Sequence, residues 1–271
     1  MTEPKTCLVI GAGAGIGGTV GKKFAEEGYH AALCRRSDID GLNGMVEGLQ
    51  GSGLSASGHL LNAVDEGALE SLIEEVEAIG PIDTVLYNLG AQIGNRSLDD
   101  TPLKTFELGW RMACFGLFRV AKVLVPLMVE RGHGTLLVTS ATSAVRGNTG
   151  QHSHAAAMAG RRLLCQTLNA EYAARGVHVV HIVIDGAVDA PDTLGKMLGA
   201  ENFEALREAK GKDKDGLLLP EEIAEPITTS HNSIDPRGPT SLTCGLIRIW
   251  PGGTMPLTFK DSKIGPEIGA T

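Results

Sequence analysis

Apolar residues along the chain fall into short unbroken runs separated by glycine-rich and polar clusters. Cys7-Leu8-Val9-Ile10 stops at a glycine cluster, after which Val20, Phe24 and Ala25 recur at helical spacing until Gly28, so the pattern predicts strand, turn and helix. His30 to Cys34 predicts a second strand and Ala56 to Leu61 a third. Leu69, Leu72, Ile73, Val76 and Ile79 mark one face of a helix between Asp65 and Gly80. Thr84-Val85-Leu86-Tyr87 predicts a fourth strand, a long helical region runs from Thr101 to Arg131, and Thr135-Leu136-Leu137-Val138 predicts a fifth strand. A helix from Gln151 to Ala174, closed by Arg175-Gly176, leads into a β-branched sixth strand from Val177 to Ile184. Short apolar strands alternating with helices imply an α/β fold: a doubly wound parallel sheet covered on both faces.

The remainder is less regular. Residues 190–219 have helical character but carry Gly195, Gly199 and the charged stretch Lys210-Gly211-Lys212-Asp213-Lys214-Asp215, which suits a flexible substrate-side flap. Pro226 is expected to cut the helix that opens at Pro220-Glu221-Glu222, leaving 226–271 as an irregular tail with a last strand over 243–250, built on Leu246-Ile247-Arg248-Ile249-Trp250. No repeat or linker interrupts the chain, so 1–271 reads as a single domain.

Composition narrows the function classes. Lys plus Arg is 24 against 32 for Asp plus Glu, a net charge of −8, which argues against a nucleic-acid partner, as does an aromatic content of 4%. No apolar run approaches the roughly 20 residues of a membrane span, and Met1-Thr2-Glu3-Pro4-Lys5 lacks the apolar core of a secretory signal, so the expectation is a cytoplasmic protein without a membrane partner. Cys7, Cys34, Cys114, Cys165 and Cys244 are scattered and read as reduced core thiols, and His178 and His181 as structural residues of the sixth strand.

After the first strand comes Gly11-Ala12-Gly13-Ala14-Gly15-Ile16-Gly17, opening directly into a helix. Glycines there allow tight turning and close approach of backbone to a pyrophosphate, while the helix N-terminus supplies free N–H groups and positive dipole. Dinucleotide binding is the expectation, against a glycine-rich connector with no ligand. A fold selecting NAD usually ends strand two on a carboxylate that holds the ribose 2′-hydroxyl. Cys34-Arg35-Arg36 stands there instead, and two guanidinium groups suit a 2′-phosphate, so NADP is favoured and NAD less so. Asp38 and Asp40 nearby keep open the reading of a solvated loop.

With these residues in place the sequence resembles the short-chain dehydrogenase/reductase family, clearly over 5 to about 190 and less so to about 253. Gly11-x-x-x-Gly15-Ile16-Gly17 matches the family's glycine motif, Asn62 with Ala63 lies where an adenine-contacting Asp follows strand three, and Asn88-Leu89-Gly90 stands in for Asn-Ala-Gly. The resemblance implies a seven-stranded Rossmann-type parallel sheet, NAD(P) binding, and hydride transfer to or from a small-molecule carbonyl or alcohol. It also implies a homodimer or homotetramer through the helices at about 101–131 and 151–174, and it places Val188 near the nicotinamide carboxamide.

The same resemblance exposes a divergence. The family uses an Asn, a Ser, a Tyr and a Lys four residues after the Tyr; the matching positions here are Ala113, Ala141, His154 and Met158, with Ser140 and Thr142 flanking the Ser position. An imidazole, with a pKa of about 6.5, can donate a proton, whereas Met158 can neither hydrogen-bond a ribose nor bias a neighbour by charge. His152-x-His154 lies two apart on a helix with no third ligand nearby, so no metal is expected. Arg161 and Arg162, two turns on, are within reach of an anionic group or, as the favoured reading, form a solvated helix face. Two functions follow: an NADPH-dependent oxidoreductase in which His154, with Ser140 or Thr142, takes over the family's chemistry, or a catalytically silent member that binds NADP or a protein partner as sensor or subunit. The first is slightly favoured.

Overall fold

A computed structural model describes residues 5–90, 95–209, 217–232, 245–250 and 253–257. Strands β1 (Thr6–Ile10), β2 (His30–Arg35), β3 (Ala56–Leu60), β4 (Ile82–Tyr87), β5 (Gly134–Ala141), β6 (Val177–Ile184), β7 (Gly245–Trp250) and β8 (Gly253–Leu257) form one sheet in the order β3-β2-β1-β4-β5-β6-β7-β8. The first seven run parallel, as the strand pattern implies, and β8 adds an antiparallel edge that the sequence pattern does not signal. Strands covered on both faces alternate nothing: β1 and β4 are buried at every position.

Helices α1 (Ile16–Glu26) and α2 (Ile39–Gly51) belong to one face, and Val9, Phe24, Leu33 and Leu42 meet in its core. α2 escapes the periodicity reading above because four of its residues are glycines. Its start is nonetheless built: Asp38 adopts φ 67° and its carboxylate accepts a hydrogen bond from the Gly41 N–H. On the other face lie α3 (Ala68–Glu77), α4 (Leu103–Trp110), α5 (Gly116–Arg131) and α6 (His152–Tyr172). Leu72 and Val76 of α3 and Val120 and Leu124 of α5 join Val85 and Leu136 in the core beneath them.

The helical stretch Leu103–Arg131 contains a segment long and apolar enough by composition to cross a membrane. Leu117, Val120, Leu124 and Met128 are instead fully buried against the sheet, which accounts for the apolarity. A single π-turn, Arg111–Phe115, separates α4 from α5. The Tyr87 hydroxyl donates to the Met112 carbonyl in that turn, and Gly116 leaves it room, since a Cβ there would lie 2.2 Å from the hydroxyl oxygen.

Past β6 the chain departs from the sequence-based expectation. The helical character read over 190–219 is seen in a π-turn (Pro191–Gly195), a short turn α7 (Lys196–Leu198) and helix α8 (Ala200–Ala209), while 210–216 lie outside the described residues. Helix α9 (Pro220–Asn232) is not cut at Pro226. Pro226 forfeits one backbone hydrogen bond, but Ile223, Ala224 and Ile227 are buried where α9 packs on α1, and Lys23 pairs with Glu225 across that contact. Burial of those side chains outweighs a local defect costing about 3 kcal/mol. The expected irregular tail therefore begins with a helix, and only its strand matches, as β7; Cys244 lies outside the described residues.

His181 on β6 is fully buried with neither ring nitrogen hydrogen-bonded, and burial together with the nearby Arg161 and Arg162 charges lowers its pKa from 6.5 to about 3. Because the native state holds this imidazole neutral while the unfolded chain protonates it, stability falls as pH drops from 6.5 toward 3. Urea unfolding at pH 7 and pH 5 is expected to show a smaller pH-dependent loss for His181→Leu than for the wild type; an identical loss overturns this account. His178, half-buried on the same strand, also has its pKa lowered by desolvation.

Candidate cofactor cleft and active site

At the carboxyl ends of β1 and β4, where the strand order reverses, a cleft of about 580 Å³ opens. Its walls are Gly11, Gly13, Gly15, Ile16 and Gly17 from the turn after β1, Arg35, Arg36 and Ser37 after β2, Asn62 and Ala63 after β3, Asn88, Leu89 and Gly90 after β4, and Met112, Val188 and Ala190.

The glycine turn is shaped by backbone packing. Gly11 has φ +103°, and a Cβ there would meet the Asn88 carbonyl oxygen at 2.9 Å; at Gly17 a Cβ would lie 2.2 Å from the Gly11 carbonyl oxygen. Gly13 faces open space, with nothing within 4 Å of an added Cβ. Helix α1 starts at Gly15 with no side-chain cap and no acidic residue in its first turn, so its positive end stays unneutralised. Asn88 stitches the floor together: its Nδ2 donates to the Gly11 carbonyl at 3.0 Å, its N–H donates to the Ile10 carbonyl at 2.8 Å, and its Oδ1 accepts from the Thr139 hydroxyl at 2.7 Å.

At the far end the two arginines part company. Arg35 pairs with Asp38 at 3.0 Å. Arg36 is exposed, lines the cleft and pairs with no carboxylate among the described residues. The loop after β3 is held from α5: Arg119 donates to the Ala63 carbonyl at 3.1 Å while pairing with Glu70, whose pKa that hydrogen bond lowers. Asn62 is turned within its own loop, donating to Asp65 at 2.8 Å.

The catalytic candidates do not converge on this cleft. Ala113, Ala144, Ala157 and Met158 pack as a small apolar cluster, each no more than 2% exposed, so Met158, at the position matching the family's Lys, sits in a core and not on the cleft wall. Ser140 is buried, with its hydroxyl 3.6 Å from the Met158 sulfur. Thr142 begins a short 3₁₀ turn and is half-buried. His154, in the first turn of α6, is half-buried beside Arg96, Thr101 and Gly150. Ala14 is exposed and is not part of the cleft wall. Among the described residues no group of three His, Cys, Asp or Glu is placed to hold a metal.

Sequence reasoning passes over Ser37, Leu61, Leu89, Met112 and Ala190 on the cleft wall. Leu89 was legible as the middle of Asn88-Leu89-Gly90; Met112 was not, because only the π-turn aims its segment there. Arg161 corrects the solvated-face reading outright, being 1% exposed.

The cleft fits a dinucleotide on three counts: an open unneutralised helix end, a turn in which a Cβ is excluded at Gly11 and Gly17, and a free guanidinium where an adenosine ribose would lie. Comparisons agree. The family model for short chain dehydrogenases matches residues 5–196. A 3-oxoacyl-[acyl-carrier-protein] reductase FabG from Thermotoga maritima is 29% identical over 198 residues, covering 70% of this chain and 77% of the relative. The uncharacterised oxidoreductase YxbG of Bacillus subtilis is 28% identical over 212 residues, covering 76% of each. A short-chain dehydrogenase crystal structure from Rhodopseudomonas palustris superposes with a TM-score of 0.72 at 25% identity, covering 90% of this chain and 97% of that one. With its cleft, strand order and turn, the chain belongs to the short-chain dehydrogenase family and is an NAD(P)-binding oxidoreductase.

Proposed function

We propose that the protein is an NADP(H)-dependent oxidoreductase of a small carbonyl or alcohol compound, with His154 as the proton donor and acceptor. The observation that carries the cofactor choice is Arg36, unpaired at the adenosine end of the cleft while Asp38 occupies Arg35. A nicotinamide cofactor supplies the hydride; the chain supplies the rest. Gly13, Gly15 and the start of α1 hold the pyrophosphate, Arg36 with Ser37 holds the 2′-phosphate, Asn62 and Ala63 border the adenine, and Asn88, Gly90 and Val188 border the nicotinamide end. Met158 and Ser140 take no direct part in this scheme, since both are turned into the apolar cluster.

Proton transfer is assigned to His154, with Thr142 as the hydroxyl candidate, because the matching family positions otherwise present only alkyl and thioether groups. General acid–base help is worth about 10²- to 10⁴-fold. His154→Phe is therefore expected to lower kcat by at least about 100-fold with cofactor affinity unchanged, measured as NADPH oxidation against a panel of carbonyl compounds. Equal turnover in wild type and variant overturns the His154 assignment, and absence of turnover in both, with NADPH still bound, favours the silent sensor or subunit reading.

A homodimer or homotetramer is part of the proposal. Leu103, Phe106, Trp110, Phe115, Phe118 and Leu163 on α4, the π-turn, α5 and α6 are exposed, and the Trp110 and Phe115 rings stack at 5.4 Å. A cytoplasmic location accords with free thiols at Cys7, Cys34, Cys114 and Cys165.

A further inference from the structure

Arg161, on α6, is the largest fully buried side chain of the protein among the described residues, and its partners are unusual. Nε donates to the Ala113 carbonyl at 2.9 Å, Nη1 to the Thr139 carbonyl at 2.5 Å and Nη2 to the Leu89 carbonyl, while the guanidinium stacks over the Tyr87 ring at 5.4 Å. No carboxylate pairs with it among the described residues, whereas Arg35, Arg119, Arg131 and Arg207 all have one. Burial lowers its pKa, yet a guanidinium starts so high that it stays protonated.

A buried cation satisfied only by neutral groups is costly, and an apolar residue of similar volume in such a place is often neutral or stabilising. Its location shows what the charge acts on. Leu89, whose carbonyl it holds, lines the cleft, and Ala113, whose carbonyl it also holds, lies within the π-turn whose Met112 lines the cleft. Thr139, whose carbonyl it also holds, carries the hydroxyl that fixes Asn88. The guanidinium thus lies one residue behind the wall at the end opposite Arg36, the nicotinamide end under the reading above.

We propose that Arg161 sets the redox preference of the cleft: its uncompensated charge opposes the pyridinium cation of the oxidised cofactor and leaves the uncharged reduced ring unaffected. The protein then loads the reduced form and releases the oxidised form readily. In a partly buried site, a unit charge acting over roughly 10 Å changes a binding constant by about tenfold. The carbonyl bonds add a second role that is purely structural, since they tie the ends of β4 and β5 to the π-turn.

The two roles separate in binding measurements, independently of turnover. Dissociation constants for NADPH and NADP⁺ are measured by calorimetry on wild type, Arg161→Lys and Arg161→Met, with thermal melting to establish folding. Wild type is expected to bind NADPH at least about tenfold more tightly than NADP⁺; Arg161→Lys keeps that ratio within about threefold, and Arg161→Met lowers it about tenfold. A wild-type ratio near one overturns the proposal, whatever the variants do, and so does an Arg161→Met protein in which both constants weaken by the same factor, the signature of a clip without an electrostatic role. Because the proposal rests on the nicotinamide-cofactor reading, the same ratio is measured for NADH and NAD⁺: selectivity for that couple with the ratio intact sinks the NADP assignment and leaves Arg161's role standing, while binding of neither couple sinks both.

Discussion

Gly17→Ala is expected to lower stability by about 3 kcal/mol or more, roughly 10 °C in Tm, and to abolish cofactor binding. The added methyl would lie 2.2 Å from the Gly11 carbonyl oxygen and 2.9 Å from the Ala12 Cα, and both are backbone that cannot rotate away. Relief requires α1 to lift from the turn, which moves its N-terminal N–H groups off the pyrophosphate position and disturbs Val20 and Phe24, both fully buried. Gly13→Ala supplies the contrast. Its Cβ meets no protein atom within 4 Å and its backbone is not left-handed, so Tm is expected to stay within about 2 °C while NADPH affinity falls, the methyl standing in ligand space. Thermal melting with calorimetry on both variants checks the pair; a Gly17→Ala protein that melts like wild type defeats the steric account.

Arg36→Ala is expected to weaken NADPH binding by about 10- to 100-fold and NADH binding by less than about threefold, as loss of a charge-assisted contact to a phosphate carried by one of the two cofactors. Arg35→Ala should do less, because Asp38 already holds that guanidinium at 3.0 Å. Asp38→Asn tests the competition directly. Asparagine keeps the cap on α2 and tolerates the left-handed backbone at φ 67°, while removing the charge that restrains Arg35, so NADPH binding should tighten severalfold. Calorimetric titration of the three variants with both cofactors decides it, and equal losses for NADPH and NADH in Arg36→Ala would turn the preference into a general contact.

Seen against these residues, much of the cofactor half was legible in the chain. Strand runs such as Cys7 to Ile10 and Val177 to Ile184, the turn from Gly11 to Gly17 and the arginines after strand two are local patterns, each written within one element or one connection. Their meeting at one cleft follows from the parallel order of the sheet. The catalytic half was not legible in the same way. The direction in which Ser140 and Met158 turn depends on Ala113 arriving from the π-turn and Ala144 from the 3₁₀ turn after β5, and no spacing along the chain states that.

Arg161 shows the limit most plainly. Two arginines in succession on a helix read as a solvated face, because exposure is the ordinary state of that residue. Only the convergence of Leu89, Ala113 and Thr139, from three segments separated by up to 72 residues from the helix position, gives the guanidinium enough carbonyl acceptors to be buried. Pro226 is the reverse case, a local breaker overruled by burial of Ile223 and Ile227 against α1. The sequence by itself determined the alternation of strand and helix, the parallel sheet and the anion-binding turn, since these rest on periodicity and on backbone freedom within a few residues. Tertiary structure decided which polar groups are charged and buried, which hydroxyls reach the cleft, and which arginine is free, since those depend on neighbours that are distant in the chain and adjacent only in the fold.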